Sequence, residues 1–173
     1  MFKKVTIIAL IFLISFSSIV FAQEWDTFSE KDDMSGVMIW YAGSPKTTSN
    51  NPMSTPYYNG TKASLHVGTD GFSEWCYISF NKEPIIKNTE IKDCYNAFTT
   101  RLEWDDDICH MDFTKEWGTS FIHFVEDKKA INKIMENNKV LLELDWYGEG
   151  KVYFEFTLNS SADAIKKIRE KTN

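Results

Sequence analysis

Two stretches near the end of the chain alternate apolar and polar residues, and they constrain the fold more than any other feature. The apolar positions are Val140, Leu142, Leu144 and Trp146 in the first stretch and Val152, Phe154, Phe156 and Leu158 in the second. Between them, residues 147–150 (Tyr-Gly-Glu-Gly) supply glycine for a short connection. Because a period of two is typical of half-buried strands, the sequence predicts an antiparallel hairpin with one buried and one solvated face.

The same period recurs through the centre of the chain. Further predicted strands cover residues 36–42, 63–69, 74–80, 96–104, 108–113 and 119–125. Helical spacing of apolar residues instead predicts two short helices, at about 127–137 and 161–171. We therefore expect an α+β, β-rich domain with about 7–8 predominantly antiparallel strands. These strands would form either a sandwich or one strongly curved sheet.

The first 22 residues have the order of a secretory signal peptide. Lys3 and Lys4 precede an apolar run from Val5 to Ile14, and Val20-Phe21-Ala22 fits a cleavage site. The run is short for a membrane span, so we expect cleavage after Ala22 and no stable membrane anchor. Residues 23–173 would then form a single domain in the periplasm or outside the cell.

The net charge limits the partners of this chain. The formal charge is −6, and it becomes −8 when Lys3 and Lys4 leave with the signal peptide. Nucleic acids are bound mainly by clustered Lys and Arg, so an acidic chain argues against nucleic acid as a partner.

Three cysteines follow the signal peptide: Cys76, Cys94 and Cys109. An oxidising compartment would allow one pair of them to form a disulfide. If residues 74–81 and 89–98 are neighbouring strands that turn near Pro84, Cys76 lies opposite Cys94. The sequence therefore favours a Cys76–Cys94 bridge, and the alternative is that all three are small buried apolar residues.

An acidic segment is the strongest candidate for a cation site. Asp105, Asp106 and Asp107 are followed by His110 and Asp112. Clustered carboxylates and an imidazole can hold a cation or perform acid–base chemistry. Aspartates between two strand patterns are also typical turn residues, and the EF-hand spacing is missing. We expect a turn and no metal here, with a weak cation site at Asp105, Asp107, His110 and Asp112 as the alternative.

The motifs of common enzymes are missing from the sequence. Gly-x-Ser-x-Gly, Ser-x-x-Lys and a Gly-rich phosphate loop do not occur. Cys109 and His110 are adjacent, but neighbours on a strand point to opposite faces and cannot form a hydrogen-bonded pair there. The sequence thus predicts no catalytic residues and no cofactor.

Residues 44–62 contain three prolines and lack periodicity, which is typical of a functional or mobile loop. Trp and Tyr in such irregular segments can form platforms for peptides or sugars. Trp104 and Trp146 instead continue apolar strand faces, so we expect both in the core. The candidate binding residues outside the regular alternation are Trp25, Tyr57, Tyr58 and Trp117.

Several short motifs follow one another along residues 25–165. They are Trp25, Asp32-Asp33-Met34-Ser35, Ala42-Gly43-Ser44, Pro56-Tyr57-Tyr58-Asn59-Gly60, Leu65-His66-Val67, Cys94 before Arg101-Leu102-Glu103-Trp104-Asp105, and Phe154-x-Phe156 before Ala164-Ile165. In this order the chain resembles a loosely defined family of small exported bacterial envelope proteins, including periplasmic accessory proteins associated with type VI secretion. The resemblance implies a small β-rich envelope domain without an established activity.

We therefore expect an exported, soluble binding or accessory module rather than an enzyme. Its partner would be another envelope or secreted protein, bound through the 44–62 loop or through a sheet edge. The alternatives are a cation-dependent hydrolase centred on the acidic segment and a carbohydrate-binding module that uses exposed aromatic side chains.

Overall fold

A computed structural model describes residues 24–172, which form eleven strands and two helices. The strands are β1 (Asp26–Lys31), β2 (Met38–Gly43), β3 (Thr47–Thr48), β4 (Lys62–Thr69), β5 (Glu74–Phe80), β6 (Glu90–Lys92), β7 (Tyr95–Trp104), β8 (Asp107–Glu116), β9 (Phe121–Phe124), β10 (Lys139–Trp146) and β11 (Gly150–Thr157). The helices are α1 (Asp127–Glu136) and α2 (Ser161–Thr172). The predicted signal peptide, residues 1–22, lies outside the described residues.

One large antiparallel sheet contains every strand. Its order is β1-β2-β4-β5-β9-β8-β7-β10-β11, with β3 added on β4 and β6 added on β7. The sheet curves so strongly that its two halves meet, because β3 pairs with β4 and the next residue, Ser49, bridges to Phe154 of β11. The α+β, β-rich fold class is confirmed, and the number of strands is higher than predicted.

The concave side of this sheet holds the hydrophobic core. The predicted terminal hairpin is confirmed, because β10 and β11 pair with each other and Leu142 lies opposite Phe154. The apolar face of both strands is buried. Trp104 and Trp146 are fully buried, as expected from their positions on apolar strand faces. Each such side chain stabilises the fold by roughly 1.5–3 kcal/mol through removal of apolar surface from water.

Both predicted helices are confirmed, and they pack on the same side of the sheet as the core. The Asp127 carboxylate at the start of α1 accepts the backbone N–H of Cys76 at 2.8 Å, which ties this helix to β5. Arg169 of α2 donates to both carboxylate oxygens of Glu74, at 2.5 and 2.8 Å. Neither helix is long and apolar enough to cross a membrane, among the elements that the structure describes. The helices leave the opposite side of β1, β2, β4, β5 and β9 uncovered.

The strand pairing that was the premise of the Cys76–Cys94 disulfide is wrong. β5, which contains Cys76, pairs with β4 and β9, whereas β6 pairs with β7 in a hairpin of its own. Cys76 is buried in the core, Cys94 is exposed, and both are free thiols in this structure, as is Cys109. The prediction failed because it placed consecutive strands side by side, while β9 occupies the position next to β5.

Candidate functional site

The four predicted binding residues do not form one surface. Tyr57 and Trp117 are 61% and 58% exposed, but Trp25 and Tyr58 are each only 6% exposed. The prediction that Trp25 and Tyr58 are surface residues is therefore wrong. Trp25 donates its indole N–H to the carbonyl of Thr157 at 2.9 Å, so it anchors the chain just before β1 to the end of β11.

The 44–62 loop packs closely against one end of the curved sheet. The Glu149 carboxylate accepts the backbone N–H groups of Ser54 at 2.6 Å and Thr55 at 2.7 Å. Hydrogen bonding by Thr55 and Ser54 lowers the pKa of Glu149 to about 2. The ring of Tyr58 packs edge-on against a buried tryptophan of β10, with the centroids 5.2 Å apart. These contacts give the loop a structural role and leave Tyr57 as its exposed aromatic residue.

Trp117 borders a cavity of about 140 Å³. Its indole N–H donates to the side-chain oxygen of Asn96 at 2.9 Å. The buried Lys115 also lines this cavity, and its ammonium pairs with Glu83 at 2.8 Å and with the carbonyl of Glu116 at 3.3 Å. Ligand pockets are typically about 300–1,000 Å³, so this cavity is too small for one. Trp117 is therefore an isolated exposed ring.

Asp105 is a turn residue, as the sequence predicts. It lies between β7 and β8 with a φ of 48°, a left-handed conformation that Asp adopts more readily than most residues. Its carboxylate accepts the backbone N–H groups of Asn138 at 3.1 Å and Lys139 at 3.0 Å. These bonds, the one from Asn138 first, lower the pKa of Asp105 and fix the β7–β8 turn to the start of β10.

The rest of the acidic segment is divided between two faces of β8. Asp107 lies on the helix side and pairs with Lys133 at 2.9 Å. His110 and Asp112 point to the opposite side, because side chains alternate along a strand, and Asp112 accepts the hydroxyl of Thr99 at 2.5 Å. Within residues 24–172, no three His, Cys, Asp or Glu side chains are grouped so that they could hold a metal ion. The alternative of a cation site at Asp105, Asp107, His110 and Asp112 is therefore wrong in its geometry.

A continuous cluster of aromatic side chains lies on the side of the sheet that the helices leave exposed. Its members, which we call the aromatic face, are Phe28, Tyr41, His66, Trp75, Tyr77, Phe121 and His123. Phe28 stacks on Tyr41 with centroids 5.0 Å apart, and His66 stacks on Tyr77 at 4.9 Å. Tyr41 and Tyr77 meet edge to face at 6.4 Å and join the two stacks. Each such pair contributes about 0.5–1.5 kcal/mol beyond its buried area.

Strand register explains why these rings meet. Phe28 lies directly opposite Tyr41 in the β1–β2 pair. Tyr77 lies opposite His66 on one side and opposite His123 on the other. Tyr41 lies opposite Gly68, which is two residues from His66 on β4. Residues that face each other across an antiparallel pair point to the same side of the sheet, so the register places all five rings on one surface.

Two glycines provide the space for the rings. A Cβ on Gly68 would lie 2.6 Å from the indole of Trp75, its cross-strand neighbour, so the Trp75 ring lies directly over the Gly68 backbone. A Cβ on Gly43 would lie 2.9 Å from Nδ1 of His66. Glycine inside a strand commonly marks such a close approach, and an aromatic ring across from it restores the packing that the missing side chain would have supplied.

The aromatic face is uncharged at neutral pH. Burial, assisted by the positive charge of Lys46, lowers the pKa of His66 from 6.5 to about 4. Its Nε2 lies 2.9 Å from the hydroxyl of Ser79, whereas its buried Nδ1 has no hydrogen-bond partner among residues 24–172. Burial, with smaller effects of Tyr41 and Glu30, raises the pKa of Tyr77 to about 12. The surface thus offers neutral aromatic rings, which suit apolar or aromatic binding partners.

β1 borders the aromatic face and forms an edge of the sheet. Among the described residues it pairs with β2 alone. The N–H of Asp32 donates to the carbonyl of Val37 at 2.9 Å, so these two residues form a hydrogen-bonded pair. Hydrogen-bonded and non-hydrogen-bonded pairs alternate along an antiparallel ladder, and every second residue of β1 therefore directs its backbone N–H and C=O away from β2. The residues whose backbone groups face the free edge are Thr27, Ser29 and Lys31.

No family model, curated protein or solved structure matches this chain. The resemblance to exported envelope proteins therefore stays a prediction, and the candidate site is defined by its geometry alone.

Sequence reasoning missed this surface, although one signal was present. Trp75 and Tyr77 alternate along β5 with the buried Cys76 and Ile78, so their side chains point to the other face of the strand. This places two large rings on the side that is expected to face water. The contribution of Phe28 could not be recognised, because it depends on the position of β1 beside β2.

Proposed function

We propose that this chain is an exported, non-catalytic binding module that recognises another protein by strand addition at β1. In this role an extended segment of the partner pairs with the free edge of β1, and its side chains contact the neighbouring part of the aromatic face. The module would act in the periplasm or outside the cell, as an accessory to its partner.

The observation that carries this proposal is the free edge itself. β1 is a regular six-residue strand in which five residues are exposed. Proteins usually protect such edges with proline, bulges, a covering helix or loop, or charged side chains, especially lysine. β1 contains no proline and a single lysine at its end, and its two other charged residues, Asp26 and Glu30, are acidic. A partner strand would satisfy the outward backbone groups of Thr27, Ser29 and Lys31, which is the mode of recognition known as β-augmentation.

The aromatic face supports a protein partner because it offers one exposed ring on this edge and another on its far side. Phe28, on β1, is 45% exposed, and Phe121, on β9, is 42% exposed. Aromatic side chains are enriched in the centres of protein interfaces, where their large area is buried with little loss of conformational entropy.

Carbohydrate binding is the second candidate function. It is favoured by the ring of Trp75, which lies over Gly68 and beside Tyr41 at 6.3 Å between centroids, because sugars stack on such aromatic platforms. A bound sugar would leave the free backbone groups of β1 unused. We therefore place protein binding first.

A proline substitution at Ser29 tests the proposal. Proline removes the N–H that faces the free edge and leaves the β1–β2 hydrogen bonds intact, because the inward groups belong to the neighbouring residues. Ser29→Ala is the matched control, since it keeps the N–H and removes only the hydroxyl. Both variants and the wild type would be used to select from a random peptide library displayed on phage. Thermal unfolding would verify that both variants fold.

We expect the wild type and Ser29→Ala to enrich a common set of peptides and Ser29→Pro to enrich none of them. Enrichment that survives in Ser29→Pro would contradict strand addition at β1. A glycan array would test the second candidate in parallel: binding lost in Trp75→Ala but retained in Ser29→Pro would favour sugar recognition. The mass of the protein recovered from a bacterial periplasm would test export, with Gln23 expected as its first residue.

A further inference from the structure

We infer that the segment bound at β1 carries a basic–x–apolar–x–basic pattern, so that this edge selects extended cationic peptides. The inference rests on the proposed strand addition and adds the chemistry of the partner. Its basis is the side-chain pattern of the outer face of β1, which is acidic, aromatic and acidic in turn.

Three side chains of β1 share the uncovered side of the sheet. They are Asp26, Phe28 and Glu30, which follow one another at intervals of two residues. Asp26 and Glu30 are exposed, and within residues 24–172 neither carboxylate has an ion-pair partner. Phe28 lies between them and stacks on Tyr41 of β2. The other face of β1, which carries Lys31, is directed toward α2.

The carboxylate of Glu30 acts electrostatically on the two nearest tyrosines of the aromatic face. The pKa of Tyr41 is raised by burial and then by the negative charge of Glu30, and Glu30 also adds to the raised pKa of Tyr77. A cationic side chain that docked beside Glu30 would therefore meet both a carboxylate and nearby aromatic rings, an arrangement that attracts Lys and Arg.

The ladder geometry makes these three positions the selective ones. If Thr27, Ser29 and Lys31 form the hydrogen-bonded pairs with an added antiparallel strand, Asp26, Phe28 and Glu30 occupy the alternate pairs. The Cα atoms of such non-hydrogen-bonded pairs are only about 4.5 Å apart, and their side chains make the closest cross-strand contacts. The partner residue opposite Phe28 should therefore be apolar, and the residues opposite Asp26 and Glu30 should be Lys or Arg.

Three labelled peptides test the pattern by fluorescence anisotropy. They are Thr-Lys-Thr-Leu-Thr-Lys-Thr, its analogue with Glu in place of Lys, and its analogue with Ser in place of Lys. We expect the Lys peptide to bind the wild type about tenfold more tightly than the Glu peptide, since each cross-strand charge pair changes affinity a few-fold. Raising the salt concentration should reduce this difference, because both carboxylates are exposed.

A charge reversal on the protein provides the decisive comparison. The double variant Asp26→Lys with Glu30→Lys should reverse the preference, so that the Glu peptide binds more tightly. The matched control is Glu90→Lys with Asp106→Lys, which changes the net charge equally at exposed positions of β6 and the β7–β8 turn. This control should retain the preference for the Lys peptide.

The outcomes separate this inference from the proposed function. Equal affinity for all three peptides, abolished by Ser29→Pro, would overturn the charge pattern and leave strand addition standing. Binding that is insensitive to Ser29→Pro would overturn both. A control variant that loses the preference as fully as the double variant would show that net charge, and not the β1 pattern, is responsible. Failure of all three peptides to bind would overturn the inference, and the phage selection would then decide the proposed function alone.

Discussion

His66 should make the stability of this protein depend on pH. Its ring is largely buried against Tyr77, and this burial lowers its pKa in the folded protein from 6.5 to about 4. The unfolded chain exposes the ring and binds a proton near pH 6.5. Between these two values the unfolded state holds more protons than the folded state, so acidification favours unfolding. The stabilisation is complete above pH 6.5 and is lost as the pH falls toward 4.

The size of this effect follows from the shift in pKa. One unit corresponds to 1.36 kcal/mol, so the lowering of the His66 pKa should reduce the free energy of unfolding by about 3 kcal/mol between pH 7 and pH 4. His123 contributes in the same direction, because burial lowers its pKa as well, although Glu116 and Asp127 oppose this shift.

The variant His66→Phe isolates the contribution of His66. It keeps a ring beside Tyr77 but cannot titrate. Its lost hydrogen bond to Ser79 changes the free energy of unfolding by the same amount at every pH. Urea unfolding followed by tryptophan fluorescence would give the free energy of unfolding of both proteins from pH 4 to pH 8. We expect the wild type to lose about 3 kcal/mol relative to His66→Phe over this range. His110→Phe is the control, since the His110 side chain is exposed, and it should leave the wild-type profile unchanged.

A difference between the wild type and His66→Phe that stays constant with pH would refute the reasoning. It would mean that the folded protein protonates His66 as readily as the unfolded chain does. The ring would then have access to water, and the stack on Tyr77 would not be the closed contact described above.

Two further substitutions and a thiol titration test the packing and the state of the cysteines. Trp146→Ala should lower the free energy of unfolding by about 3–5 kcal/mol in urea, because removal of a buried ring leaves a cavity. Gly68→Ala should cost about 1–3 kcal/mol because its methyl group meets the Trp75 ring, and most of this loss should vanish in a Trp75→Ala background. Titration with a thiol reagent should find three thiols in the denatured chain; in the folded protein Cys94 should react first and Cys76 last, since burial raises the pKa of Cys76. Fewer thiols would point to a disulfide.

Most of the sheet could be predicted from the sequence because its strands are half-buried. β5 spans the predicted residues 74–80, and β4, β7 and β10 differ from the predicted ranges by one residue at one end. In these strands the parity that faces the core is apolar, so local alternation carries the information. The helices were predictable for the same reason, with a period of 3.6 instead of two.

The missed elements are those whose position depends on distant contacts. β1 has a single apolar residue, Phe28, and nearly every position is exposed, so no alternation marks it as a strand. The burial of Trp25 depends on Thr157, and the burial of Tyr58 depends on Trp146. Local sequence cannot report such contacts, and the candidate site failed in prediction for this reason: its rings come from strands that only the sheet order brings together.

The closure of the sheet by β3 has a kinetic consequence. Trp25 donates a hydrogen bond to Thr157, and Ser54 donates one to Glu149, so the segment before β1 and the 44–62 loop are both held by residues far along the chain. Closing such long loops loses chain entropy before the contacts between their ends stabilise the fold. Folds dominated by contacts between distant residues therefore typically form over milliseconds to seconds. The contacts that anchor Trp25 and the 44–62 loop cannot form until the final hairpin has been synthesised, although β1 and β2 can pair earlier. A nascent chain of this design therefore completes its fold only after most of it has been translated.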